Sequence, residues 1–115
     1  MKTSKAPKHL KADTRRWFDQ VLADFELDAH HVRLLTLAAE SWDRCQQARV
    51  ILDKQGLTYD DRFGAPRGRP EIAVERDSRL AFARLIRELA LDVDSPESYS
   101  RAPTIAGGAG MRRLG

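Results

Sequence analysis

The sequence predicts an all-α fold, because three segments show helical periodicity and no segment shows convincing strand alternation. The chain has 115 residues, of which 42% are hydrophobic and 32% charged, a balance typical of one globular domain. A domain of this size has a small core, so large multi-layer enzyme folds are not expected. The absence of a long apolar run predicts no membrane span, and no signal peptide is recognisable, so an intracellular, soluble protein is expected.

The first helix is predicted over residues 13–26, with Asp13 as its N-cap. Apolar side chains recur along it at helical spacing, at Trp17, Phe18, Val21, Leu22 and Phe25. Residues 1–12 show no periodicity and are predicted to form a flexible basic arm.

The second helix is predicted over residues 29–55, capped by Asp28 and ended by Gly56. It would be about 40 Å long, more than a compact domain of this size needs. One apolar side alternates in steps of four and three, through His31, Leu35, Ala38, Trp42, Cys45, Arg49 and Leu52. A second apolar side contains Leu34, Leu37, Val50 and Ile51. One side can pack on the first helix, and we expect another copy of the chain to cover the other. The residues predicted to form this oligomer interface are Leu35, Trp42, Arg49 and Leu52.

After Gly56, the positions of glycine and proline residues predict where the remaining elements begin and end. Residues 57–63 are predicted to be an extended segment or turn, and residues 64–70 a loop. Pro70 is suited to opening a third helix, predicted over residues 71–91. Residues 13–91 thus form the predicted helical core and oligomerisation domain, and residues 92–115 a flexible C-terminal tail.

Charge is distributed unevenly along the chain. Residues 1–16 have a net charge of +5, residues 17–61 a net charge of −5, and residues 62–91 a net charge of +3. The basic arm suggests a polyanion partner, although a basic terminus can also be simply solvated. The candidate phosphate-contacting residues of the arm are Lys2, Lys5, Lys8, Lys11, Arg15 and Arg16.

A second candidate lies in the segment Pro66-Arg67-Gly68-Arg69-Pro70, which matches the core of an AT-hook. In that motif an extended Arg-Gly-Arg enters the narrow minor groove of A·T-rich DNA, where negative potential is concentrated. Arg67 and Arg69 could act in this way, contact phosphates more generally, or belong to a plain loop.

No group of residues predicts catalysis, a metal site or a cofactor. His30 and His31 are adjacent on a helix and are expected to point about 100° apart, so they should not bind one ion together. Cys45 has no identifiable base and is expected to be a small core residue. Asp60 and Asp61 are more typical of a turn than of a cation site. The tryptophans at 17 and 42 could stack on bases, but their apolar helix faces favour packing in a core or subunit interface.

Several features, taken in order, resemble the small terminase subunits of tailed phages, specifically the P27-type family. They are an early helix around Trp17, a long helix through Trp42 to Leu52, the stop at Gln55-Gly56-Leu57, the loop from Gly64 to Pro70, and a last helix closing with Arg87-Glu88-Leu89-Ala90-Leu91. The resemblance covers residues 10–100 and depends on order and spacing. In that family the last element usually reads Glu-Leu-Gly-Leu followed by Pro. Here Ala90 replaces the glycine and Pro96 comes several residues later.

This resemblance implies a non-enzymatic component of a viral genome-packaging motor in the host cytoplasm. Such proteins form homo-oligomeric rings, bind double-stranded viral DNA, and present it to the large terminase subunit, which supplies the ATPase and nuclease activities. The tail from Asp92, especially Met111 to Leu114, is positioned to reach that large subunit. The alternatives are a small transcriptional or architectural DNA-binding protein that uses Arg67-Gly68-Arg69, and a helical module that docks on a different protein.

Overall fold

The computed structural model describes residues 4–91, which form three helices and a two-stranded hairpin. The elements in chain order are α1 (Ala12–Asp24), α2 (Ala29–Gln55), β1 (Thr58–Asp60), β2 (Pro66–Gly68) and α3 (Pro70–Glu88). The predominance of helix is confirmed, and all three helices occur close to their expected bounds. Within these residues, no helix combines the length and the apolar character needed to cross a membrane. Residues 1–3 and the predicted C-terminal tail, 92–115, lie outside the described part of the chain.

The β-hairpin corrects the prediction that the chain contains no strands. Strands β1 and β2 pair antiparallel, with Tyr59 opposite Arg67 in the register. The Arg69 N–H donates to the Leu57 carbonyl over 2.9 Å and so closes the base of the hairpin between α2 and α3. Each strand has only three residues, too few for an alternating pattern to be recognisable in the sequence.

Both ends of α2 and the start of α3 lie where they were predicted, whereas α3 ends at Glu88 rather than at residue 91. Asp28 occupies the N-cap position of α2, although its side chain makes no capping hydrogen bond. Gly56 ends that helix with a φ of 84°, a left-handed conformation that glycine adopts without a Cβ penalty. Pro70 is the first residue of α3, where its missing N–H leaves no helical hydrogen bond unmade.

The start of α1 differs from the prediction. Lys11, not Asp13, occupies the N-cap position, and Asp13 lies within the first turn. Asp43 of α2 takes over the role of the expected capping carboxylate. It accepts a hydrogen bond from the Lys11 backbone N–H over 2.8 Å and another from the Thr14 hydroxyl, so the start of α1 is tied to the middle of α2.

Residues 4–11 also differ from the expected flexible arm, because they pack against the helices. Ala6 and Leu10 are buried in a core cluster that includes Phe18 of α1 and Leu35 of α2. The His9 ring lies 2.8 Å from the Glu40 carboxylate, which adds a polar contact to the same interface. Removing these apolar side chains from water favours the packed segment over a solvated one.

Helices α2 and α3 form an antiparallel pair. Trp42 contacts Phe82 at a ring-centroid distance of 5.1 Å, and Cys45 contacts Glu75 further along the pair. Along α2, Ala38, Cys45 and Ala48 are buried, whereas no residue of α3 is buried. The isolated chain therefore covers one side of α2 well and leaves α3 half-exposed along its whole length.

The end of α3 is a Schellman motif with an alanine in the left-handed position. Ala90 has a φ of 58°, the only positive φ among the non-glycine residues from 4 to 91. The Leu91 N–H donates to the Ile86 carbonyl and the Ala90 N–H to the Arg87 carbonyl, each over 3.0 Å. Glycine is preferred at this position because a Cβ makes the left-handed conformation unfavourable.

Candidate DNA-binding and self-association surfaces

The N-terminal cations extend from a packed segment. The Lys5 backbone N–H donates to Asp19 over 3.1 Å, and the Lys11 N–H to Asp43, while the side chains of Lys5, Lys8 and Lys11 stay exposed. Lys2 lies outside the described residues. A lysine fixed at its backbone loses less freedom on binding a phosphate than one on a mobile arm, which favours contact.

The two predicted arginines of α1 have different surroundings. Arg16 forms an ion pair with Asp13 three residues earlier, and both side chains are largely exposed. Arg15 is half-buried, and among residues 4–91 no carboxylate pairs with it. Exposed pairs of this kind contribute little stability, so a phosphate can replace Asp13 as the partner of Arg16 at small cost.

The AT-hook-like arginines are both held within the hairpin. Arg67 Nε lies 3.0 Å from Asp61 Oδ2, and the Arg69 guanidinium carbon lies 5.8 Å from the centre of the Tyr59 ring. Gly68 is paired with Thr58 in the sheet. An extended Arg-Gly-Arg would enter a minor groove only after this pairing was broken, so the structure disfavours the AT-hook interpretation.

Asp61 organises the tip of the hairpin. One carboxylate oxygen accepts the backbone N–H groups of Phe63 and Ala65, at 2.8 and 2.9 Å, and the other accepts Arg67 Nε. These hydrogen bonds, from Ala65 foremost and then from Arg67, hold the pKa of Asp61 below its usual range. The expectation of a turn residue is confirmed for Asp61 and wrong for Asp60, which is the last residue of β1 and pairs with Pro66.

A second basic surface, which the sequence analysis missed, lies on the outer side of α3. Arg76, Arg79, Arg84 and Arg87 are all exposed along this helix. Arg76 pairs with Asp77, and Arg79 with Glu75, whereas neither Arg84 nor Arg87 has an acidic partner within residues 4–91. The signal in the sequence was the spacing of these arginines at three, five and three residues, which keeps most of them on one side of a helix.

The predicted oligomer-interface residues do not all lie at the surface. Leu35 has 0% exposure and packs inside the chain, so its assignment to an interface is wrong. Helical periodicity showed that Leu35 is on an apolar side but could not show that α1 and the N-terminal segment cover it. Trp42 is 43% exposed, Arg49 is exposed and Leu52 is half-buried, so these three remain available to a second copy.

Large apolar side chains elsewhere are also uncovered. The exposed ones, besides Trp42, are Leu37, Val50, Leu57, Tyr59, Phe63, Ile72, Val74 and Leu80. Most belong to α2, α3 and the hairpin between them. Single exposed apolar residues are ordinary, but this number on one helical pair indicates a surface for another protein chain.

An aromatic pocket lies where α1 meets the α2–α3 pair. The Phe82 ring sits between two tryptophans, 5.9 Å from Trp17 and 5.1 Å from Trp42 between ring centres. These three rings, with Asp13 and Thr14, line a pocket of about 310 Å³. The expectation that both tryptophans pack rather than project freely is confirmed, but their packing leaves an open apolar concavity.

His30, His31 and Asp28 lie together at the start of α2. One potential ligand atom from each lies within 4.8 Å of the others, and the two rings are 4.0 Å apart at their centres. The prediction that the adjacent histidines must diverge is therefore wrong, because their side chains turn towards each other. The positive end of the α2 dipole lies here and disfavours a cation, so we assign no metal to this group.

Cys45 is a buried thiol, as expected of a core residue. Its Sγ donates to the Glu75 carboxylate over 3.6 Å. Burial foremost, and then the charge of Glu75, raises the pKa of Cys45. The thiolate is the nucleophilic form, so this environment lowers the reactivity of Cys45.

Comparison of the chain with protein-family models, with curated proteins and with solved structures found no match in any of the three. The choice among functions depends on the surfaces described above, which are two sets of cations, a half-exposed helical pair and an aromatic pocket.

Proposed function

We propose that this chain is the small terminase subunit of a tailed phage or prophage. It is a non-catalytic protein of the host cytoplasm that assembles into a ring and binds double-stranded viral DNA. It then presents that DNA to the large terminase subunit, which carries the ATPase and nuclease activities.

The observation that carries this proposal is the uncovered α2–α3 pair. No residue of α3 is buried, and Leu80 on its outer side is 56% exposed. A subunit of a ring is covered by a neighbour on each side, so it needs apolar surface on more than one face. Burying these side chains between copies stabilises an assembly through the hydrophobic effect.

The distribution of cations supports DNA as the partner. Lys5, Lys8 and Lys11 lie on a packed segment, and Arg84 and Arg87 lie on α3 without acidic partners among residues 4–91. Each set is small and would bind a phosphate backbone weakly by itself. Repetition around a ring makes many weak contacts act together, which raises the overall affinity.

The conformation of Ala90 supports the resemblance to the P27-type family at a position where the residue type departs from the family pattern. The P27-type pattern usually has glycine at this position, and Ala90 takes the left-handed conformation that favours glycine. The alanine here therefore has a backbone conformation in which a glycine is the preferred residue. The segment Met111 to Leu114, which we propose as a contact for the large subunit, lies outside the described residues.

The first test is the native mass of the purified protein, measured by light scattering without DNA at moderate salt. We expect one species well above a tetramer. A monomer at all accessible concentrations would contradict ring assembly and would favour a module that docks on another protein.

The second test measures affinity for duplex DNA at several salt concentrations. Replacing Arg84 and Arg87 with Gln should weaken binding and make the log–log salt slope shallower, by about 0.9 for each phosphate that the variant no longer neutralises. The same test applies to Lys5, Lys8 and Lys11 replaced together. The control variant replaces Arg33 and Lys54, two exposed cations of α2, with Gln and should bind as the parent does. An equal loss of affinity per removed charge in all three variants would indicate a response to net charge alone. A preference for A·T-rich duplex that Arg69→Ala abolishes would favour the AT-hook alternative.

A further inference from the structure

The tip of the β-hairpin presents an aromatic side chain to solvent. Phe63 is 80% exposed, more than any other large apolar residue from 4 to 91, and Leu57 at the base follows at 62%. The Arg62 guanidinium carbon lies 4.9 Å from the centre of the Phe63 ring, so the tip combines a cation with an aromatic face. A side chain this apolar gains from removal from water wherever a matching cavity exists.

The tip is held in place rather than being a loose loop. Asp61 accepts hydrogen bonds from the Phe63 and Ala65 backbone N–H groups and from the Arg67 side chain. The Gly64 N–H also donates to the Asp61 carbonyl over 2.9 Å, which closes the turn. Because the backbone at Phe63 is fixed before any partner arrives, little ordering is needed when the ring is buried.

The aromatic pocket of α1, α2 and α3 is complementary to this tip. Its walls are Trp17, Trp42 and Phe82, which offer ring faces and edges to another aromatic side chain. Asp13, also on the pocket lining, pairs with Arg16, but its side chain is 87% exposed, so the carboxylate can accept an incoming guanidinium as well. An aromatic residue beside a cation thus matches aromatic walls beside a carboxylate.

A chain cannot fill its own pocket with its own tip. The hairpin begins after Gly56, at the far end of α2, whereas the pocket includes Trp42. About 20 Å of rigid helix separates these two points. The tip and the pocket can therefore meet only between copies.

We propose that Phe63 and Arg62 of one copy insert into the pocket formed by Trp17, Trp42 and Phe82 of the next, with Arg62 facing Asp13. The two surfaces differ, so the contact is head-to-tail, and its repetition closes into a ring when the rotation between copies permits. This inference rests on the proposed self-assembly and names the contact that produces it.

The test compares Phe63→Ser with Ala23→Ser, which introduces the same side chain at an exposed residue of α1 outside the tip, the pocket and the exposed apolar residues of the α2–α3 pair. Phe63→Ser should lower self-association at least tenfold, and Ala23→Ser should leave it within about twofold of the parent. Circular dichroism should show equal helix content in both variants. The only two tryptophans of the chain line the pocket, so the parent's emission should change with protein concentration and that of Phe63→Ser should not.

A charge exchange tests the pairing directly. Arg62→Glu and Asp13→Lys should each weaken assembly, and the double variant should recover most of the loss because each contact regains an opposite pair. A variant that was merely misfolded would not be rescued by a second charge reversal.

The outcomes separate this contact from the proposed function. If the parent assembles and Phe63→Ser assembles equally well, the tip-to-pocket contact is overturned and ring assembly stands. If the parent is a monomer, both are overturned. If Phe63→Ser assembles normally but loses affinity for duplex DNA, the tip acts as a wedge between bases and this contact is again overturned.

Discussion

The two ends of the molecule differ in how completely the chain covers its own apolar surface. Where α1 and the N-terminal segment lie on α2, Phe18 and Leu35 are fully buried and Asp43 ties the segments together. At the other end the hairpin exposes Leu57 and Phe63, and α3, which runs along α2 between the two ends, has no buried residue. The first end has the properties of a self-sufficient domain core, and the second has those of one half of an interface. In the assembly that we propose, the residues that stabilise the subunit therefore differ from those that join one copy to the next.

The largest expected change in the free energy of unfolding comes from a substitution at Leu35. Replacing Leu35 with Ala should lower the free energy of unfolding by about 3 kcal/mol, because it removes buried methyl groups and leaves a cavity. Leu80→Ala makes the same chemical change on the exposed side of α3 and should alter that free energy by about 0.5 kcal/mol or less. Urea unfolding of dilute protein, followed by circular dichroism, measures both. Similar losses for the two variants would show that the ends do not differ in this way.

A smaller change, this time an increase in the free energy of unfolding, is expected for a substitution at the end of α3. Ala90→Gly should raise the free energy of unfolding by about 1 kcal/mol, because glycine takes the left-handed conformation without the penalty of a Cβ. Ala83→Gly, in the interior of the same helix, is the control and should lower it by about 1 kcal/mol. A loss of stability in Ala90→Gly would mean that Ala90 does not adopt the left-handed conformation.

The smallest effect concerns the middle of the α2–α3 pair, where Cys45 meets Glu75. Because the folded pKa of Cys45 is raised, its contribution to stability is fully present below the unfolded pKa and is lost as pH rises through the folded pKa. Glu75→Gln removes a carboxylate that raises this pKa, so modification of the thiol should begin at lower pH. Disulfide-exchange kinetics measured against pH give the midpoint, and Glu71→Gln, which removes the same charge earlier in α3, is the control. An unchanged midpoint in Glu75→Gln would show that burial alone sets the pKa.

The helices could be predicted because their determinants are local. Apolar periodicity and the terminating residues Gly56 and Pro70 lie within the segments that they define, so one sequence was enough to place α2 and α3. The burial of Leu10 and Leu35 depends instead on segments about 25 residues apart. The sequence shows that these two side chains are apolar, but it does not show which segment covers them.

The hairpin and the basic side of α3 were missed for two further reasons. The strands are short, and the hydrogen bonds of the Asp61 side chain, rather than a long ladder, organise the tip. The arginines of α3 contribute to the net charge of residues 62–91, but a net charge does not show that they share one side of a helix. The sequence indicated the N-terminal cations and Trp42 as candidates, and the structure shows Lys5, Lys8, Lys11 and Trp42 to be exposed. The sequence did not reveal the aromatic pocket around Trp42.

The link between α1 and Asp43 has a consequence for the order of folding. Asp43 is 32 residues beyond Lys11 and 29 beyond Thr14. Because synthesis proceeds from the N-terminus, α1 leaves the ribosome before Asp43 does, so it emerges without access to the carboxylate that fixes its start. Helix α1 is short, and helices of its length are marginal alone in water. The N-terminal end of the domain, although it is the first to be made, can therefore be completed only after much of α2 has emerged.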